Sequence, residues 1–150
     1  MRRLLGRPEM GALVFLLCMA TPGISSGMGT SPRSPLITIG GQEAMLSPVL
    51  LGVCSIFMRI ENAGNGDDTL LSAKADVPGA TTELHDVKDG KMIKRVKIPI
   101  PAKGGVELRP GGLHIMVFRL PKDMREGHEF TLRLVFERSG EKLVSIRIDK

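Results

Sequence analysis

Apolar and polar residues alternate along much of the chain beyond residue 50. In FTLRLVFE, Phe130, Leu132, Leu134 and Phe136 share one side, while Thr131, Arg133 and Glu137 take the other. VSIRID repeats the pattern, with Val144, Ile146 and Ile148 set against Ser145, Arg147 and Asp149. A period of two marks a strand with one buried face, and the RSGEK segment between these two stretches predicts a hairpin. SIFMRIE likewise groups Ile56, Met58 and Ile60. Turn signals punctuate the chain at ENAGNGDD (61–68), VPGA (77–80), KDGK (88–91), PAKGG (101–105), RPGG (109–112) and RSGE (138–141). No stretch from 50 to 150 runs far without Gly, Pro or alternation, so no substantial helix is expected. Seven or eight short strands predict an all-β protein, a sandwich or Greek-key β-barrel. The aspartates of ENAGNGDD, Asp67 and Asp68, are expected on a solvated turn.

The first residues follow a different rule. Arg2, Arg3 and Arg7 precede the apolar run GALVFLLCMA, and small residues follow it. This is the pattern of a secretory signal peptide, assigned to residues 1–26, with cleavage near Ser25 to Gly27. The run is too short to span a bilayer as a helix, and no later stretch is suited to crossing one. Residues 27–34, GMGTSPRS, are expected to form a flexible leader. Residues 35–150 then form one domain, long enough for a single core.

Charge and cysteine content narrow the function classes. Arg2, Arg3 and Arg7 against Glu9 supply about +2 of the formal +5, leaving roughly +3 on the mature chain. With no Trp or Tyr to stack bases and the basic residues dispersed, nucleic acid is not an expected partner. Cys18 lies in the apolar run, without the small residue a lipid-anchored cysteine needs before it. Cys54 is then the mature chain's single cysteine, and VLLGVCSIFMRI around it predicts a buried, inert thiol.

Candidate chemistry gathers between residues 85 and 116. His114 and Met116 are two apart on a predicted strand, so their side chains leave the same face. His85 ends TTELH just before the KDGK turn, and Met92 follows that turn. One end of a barrel would gather all four. Thioether sulfur is soft and uncharged and neutral imidazole is borderline, a set that suits Cu(I) and offers little to Zn²⁺, Mg²⁺ or Ca²⁺. Methionine also forms no disulfides in an oxidising compartment. The competing account is ordinary: two surface or hydrogen-bonded histidines and two core methionines. His128, in MREGHEF, has no partner pattern and is assigned to a solvated turn; nearby Met124 is assigned to a loop.

The words around these residues resemble the periplasmic copper chaperones of the PCu(A)C family. That family's pattern is a His, a later Met, then 21 residues and His-x-Met; here Met92 is followed by 21 residues and His114-Ile115-Met116. RIENAG, ELHD and IPIPAKGGVELRPGGLHIM are similar to the family's conserved segments, and ITIGGQEAMLSP to its first strand. The resemblance implies a cupredoxin-like barrel that binds Cu(I) through His85, Met92, His114 and Met116. It implies a monomeric periplasmic protein passing copper to acceptors, chiefly in cytochrome c oxidase assembly. Two features depart from the pattern: only six residues separate His85 from Met92, and no His/Met-rich tail follows Ile148.

Three other functions compete. An electron-transfer cupredoxin needs a Cys thiolate beside its His and Met ligands, and Cys54 is distant in sequence from His-Ile-Met. An exported β-sandwich binding or assembly protein without a working metal site is the alternative from a different class. An enzyme is not expected, because no Ser/His/Asp set or paired carboxylates stand out.

Overall fold

The computed structural model describes residues 33–149, and within them the chain is all-β. Ten strands run in order: β1 (Ile37–Leu46), β2 (Val53–Asn62), β3 (Asp68–Ala75), β4 (Thr81–Lys88), β5 (Lys91–Arg95), β6 (Ile98–Ile100), β7 (Gly104–Leu108), β8 (His114–Phe118), β9 (Glu129–Phe136) and β10 (Gly140–Asp149). There are more than the seven or eight expected, because β5, β6 and β7 have only three to five residues and are too short to display a period. The signal peptide and most of the leader assigned from sequence lie outside the described residues. Among those described, no helix is long and apolar enough to cross a membrane.

One layer follows the order β5-β4-β8-β2-β1, and β7 pairs with the second half of β2; the other layer is β10-β9-β3-β6. A short parallel pairing of β1 with β10, Ala44 with Ile148 and Met45 with Asp149, joins the layers into a nearly closed barrel. The bulge between Gly40 and Glu43 bends β1, with Gly41 at φ 62° supplying the left-handed residue.

The alternation seen in the sequence fills the core. Ile56, Met58 and Ile60 from β2 pack with Leu132, Leu134 and Phe136 from β9 and with Ile146 and Ile148 from β10. The predicted β9–β10 hairpin forms, with Phe136 opposite Gly140. Among the described residues, every buried core residue lies between Ile37 and Ile148, within the compact unit Ser31–Lys150.

The 61–68 segment departs from expectation. Asp68 is 2% exposed rather than solvated. It is stable there because its carboxylate accepts backbone N–H groups from Thr69 (2.8 Å), Arg138 (2.9 Å) and Ser139 (3.0 Å). Burial works to raise its pKa, but these bonds, with one from the Ser139 side chain, hold it below the usual range. Asn62 is also buried; its Oδ1 accepts from Leu36 N and Gly64 N, and its Nδ2 donates to Gly66 O. Residues 33–36 are thereby fastened beside the β2–β3 turn. A Cβ on Gly64 would overlap the Ser34 carbonyl, which explains why glycine stands there.

Candidate metal centre

The site is built on β4 and β8. Their antiparallel register sets Glu83 opposite Met116, Leu84 opposite Ile115 and His85 opposite His114. Directly opposed residues point to the same side. Leu84, Ile115 and Val117 point into the core, so His85, His114 and Met116 stand together on the outer face of the layer. The ligand candidates occupy strand positions whose alternation turns them away from the core, with His114 as the first residue of β8.

On that face the two imidazole centroids are 5.8 Å apart. Phe57 packs on His114 and Phe118 on His85, each with centroids 6.2 Å apart. His114 and Met116 are buried, at 4% and 7% exposure, and His85 is half-buried.

The hydrogen bonds determine the nitrogens available to a metal. His114 Nδ1 lies 2.7 Å from the Gly112 carbonyl oxygen. That oxygen only accepts, so Nδ1 carries the proton and Nε2 keeps a free lone pair. His85 Nε2 lies 2.8 Å from Glu83 Oε2. The carboxylate accepts from it, so in the neutral ring the lone pair lies on Nδ1. His85 Nδ1 is also buried and has no hydrogen-bond partner. A carboxylate bonded to the far nitrogen of a ligand histidine orients the ring and raises its basicity. Glu83 is itself held by Lys94 Nζ at 2.6 Å. The bonds from Lys94 and His85 hold its carboxyl below the usual range.

Met92 is placed differently. The two-residue Asp89–Gly90 turn, with φ of 51° and 71°, pairs Met92 with Val87. Met92 therefore shares the outer face and lies diagonal to His85, 53% exposed on the edge strand. Met116 belongs to the Glu83 pair, on the other side of His85. Flat-sheet spacing puts the Met92 and Met116 backbones roughly 16 Å apart. The register thus brings His85, His114 and Met116 together and sets Met92 at the rim beside His85, a consequence of the short interval between His85 and Met92.

Several neighbours escaped the sequence reading. Glu83 lies two residues before His85, a spacing that could have flagged it once TTELH was taken as a strand. Met45 lies in the same row as Met116, through Ser55; only the register reveals this. Cys54 is on the opposite, inner face and fully buried. Burial pushes its thiol up to about 12, despite an opposing backbone hydrogen bond at Met45, so it is no ligand here and the electron-transfer account loses its thiolate. His128 lies in the turn before β9, and Met124 packs against the core.

Among the described residues, no three His, Cys, Asp or Glu side chains converge as a metal site. The soft donor that the register places beside the two histidines is the Met116 thioether. Two neutral imidazole nitrogens, one of them buried and unpartnered, beside a buried thioether fit Cu(I).

Comparison with known proteins bears on both fold and family. A family model described as "Putative lipoprotein LpqE-like" matches residues 51–148. An uncharacterized protein of Rickettsia prowazekii, RP573, is 24% identical over 98 residues, covering 63% of this chain and 54% of that protein. The chain thus spans about half the length of that curated relative. The apo PCuAC domain of PmoF1 superposes with a TM-score of 0.65 at 24% identity, over 75% of this chain and 92% of that one. The copper-bound PCuAC domain of PmoF2 gives 0.62 at 21%, with the same coverage. The Cu(I) form of DR1885 from Deinococcus radiodurans gives 0.57 at 18%, covering 83% of each chain. The fold is that of the cupredoxin-like PCuAC domains.

Proposed function

The chain belongs to the LpqE-like family, and from that premise we propose that it is an extracytoplasmic Cu(I) metallochaperone. It carries one copper ion as cargo on His85, His114 and Met116, with Met92 standing exposed beside His85 at the rim to take up the ion as it is handed on. It works as a monomer in the periplasm after its signal peptide is removed. It passes copper by ligand exchange to a copper-requiring acceptor, chiefly in the assembly of cytochrome c oxidase. It is not an enzyme.

The observation that carries this proposal is the buried, unpartnered Nδ1 of His85, on a ring whose centroid lies 5.8 Å from that of His114. An unsatisfied buried acceptor is costly in a folded protein, and a soft cation removes that cost. The copper-bound and Cu(I) structures of proteins with this fold support the choice of metal.

The arrangement also suits transfer. Imidazole and thioether bind Cu(I) without repelling one another and without releasing protons. Met92 stands exposed while Met116 is buried. An acceptor's ligand therefore approaches from the Met92 rim, while the histidines retain the ion until the acceptor's coordination is complete.

The test is Cu(I) binding in competition with a chromophoric chelator, comparing the wild type with His114→Ala/Met116→Ala. One tight equivalent, lost in the variant, is expected. Equal binding by the two proteins would overturn the proposal and leave an exported β-sandwich with incidental His and Met residues.

A further inference from the structure

The β1–β2 turn presents three aliphatic side chains to solvent in succession: Val49 at 85% exposure, Leu50 at 57% and Leu51 at 92%. The turn is firmly held. Ser47 N donates to Val53 O at 2.8 Å, and Ser47 Oγ accepts from Leu50 N at 3.0 Å and Val49 N at 3.4 Å. Leu120 N donates to Gly52 O at 3.0 Å. Gly52 has φ 71°, and a Cβ there would approach Leu120 O to 2.9 Å. The backbone thus holds these side chains outward in a fixed shape.

Two cations flank the tip. Arg119 and Lys122 bracket Leu120, the residue bonded to Gly52, and Lys122 lines the same small depression as Leu50 and Leu51. Both are exposed, and among the described residues neither enters an ion pair. Asp123, next in the chain, offsets part of this charge, so the aliphatic triplet has to supply most of any binding.

We propose that this tip docks on an anionic phospholipid surface, with Val49, Leu50 and Leu51 entering the acyl boundary and Arg119 and Lys122 meeting the headgroups. Exposed apolar patches of this kind mark membrane or protein contacts. Protein hot spots favour Trp, Tyr and Arg anchors in pockets and under-represent Leu and Val. This tip has no aromatic residue, and its three aliphatic side chains stand 57–92% exposed beside a small depression. A bilayer accepts such a protrusion without a matching hollow and rewards adjacent cations.

Position agrees with this assignment. Residues 33–36 are fastened near Asn65 and Gly66, at the far end of β2 from the tip, so they do not obstruct it. Met116 lies in the row of Ser55, four residues along β2 from Leu51. Docking therefore brings the His/Met face near the membrane surface. The inference itself does not depend on copper.

The test is co-sedimentation of residues 31–150 with vesicles of phosphatidylcholine alone or mixed with phosphatidylglycerol. The wild type should pellet with the mixed vesicles. Val49→Asp/Leu51→Asp should bind about tenfold more weakly, and Arg119→Glu/Lys122→Glu more weakly by a smaller factor. Leu51→Trp adds the chain's single tryptophan, so a blue shift of its emission with mixed vesicles would report insertion in a folded protein. Equal pelleting with the uncharged vesicles would overturn the anionic assignment. A wild type left in the supernatant with an unmoved Leu51→Trp emission would overturn the proposal and assign the tip to a protein partner.

Discussion

Glu83 accepts a hydrogen bond from His85 Nε2 at 2.8 Å, and the opposite ring nitrogen of His85 is buried without a partner. The carboxylate decides which nitrogen is offered to a metal. Both residues lie on β4, two positions apart and on one face, so this relationship is set by strand geometry alone.

Glu83→Gln should weaken Cu(I) binding about tenfold, within the range for loss of an outer partner of a ligand histidine. Glu83 is partly exposed, so the melting temperature should change little. Chelator competition and a thermal melt on the same sample separate the two effects. A large fall in melting temperature with unchanged affinity would assign Glu83 to the fold instead.

The two methionines should differ. Met116→Leu preserves volume and should reduce Cu(I) affinity by more than an order of magnitude, because a buried thioether between the strands has no substitute. Met92→Leu should cost less affinity and should slow transfer to an acceptor more than it weakens binding. Competition titration and stopped-flow transfer resolve these effects, and equal losses of affinity would place Met92 inside the resting coordination sphere.

Cys54 should be silent. With its thiol pushed up to about 12 and its side chain on the inner face, it should react with a disulfide reagent only on unfolding. Cys54→Ala should keep the copper stoichiometry and lose roughly 1 kcal/mol of stability from the small cavity. Fast labelling of the native protein would contradict this placement.

Much of the fold was legible because alternation in β2, β9 and β10 reports directly on burial. The Met92, His114 and Met116 spacing and the surrounding turns led to the right fold. Register was not legible. That Met45 shares a row with Met116, or that the Asp89–Gly90 turn sets Met92 beside Val87, depends on pairings between strands distant in sequence. The sign of the face was also hidden, since His-Ile-Met fits either side of a sheet until Leu84 and Ile115 are known to fill the core. Asp68 misled for a related reason. Its backbone donors at Arg138 and Ser139 lie some seventy residues away, and a local turn pattern carries no trace of them.

Asp68 also sets the protein's response to acid. Its folded carboxyl lies below the ordinary value of 3.8 because Ser139, Arg138 and Thr69 donate to it more strongly than burial disfavours its charge. A depressed folded pKa contributes stability that is fully present above the unfolded value and lost as pH falls through the folded one. Unfolding free energy from urea titration should therefore decline as pH drops below about 4. Asp68→Asn keeps one acceptor oxygen but cannot ionise. It should be less stable than the wild type at neutral pH by about 1–3 kcal/mol, and the gap should narrow as pH approaches the folded pKa. A gap that stayed constant across that range would mean that the carboxylate's charge contributes nothing, and that the turn is held by hydrogen-bond geometry alone.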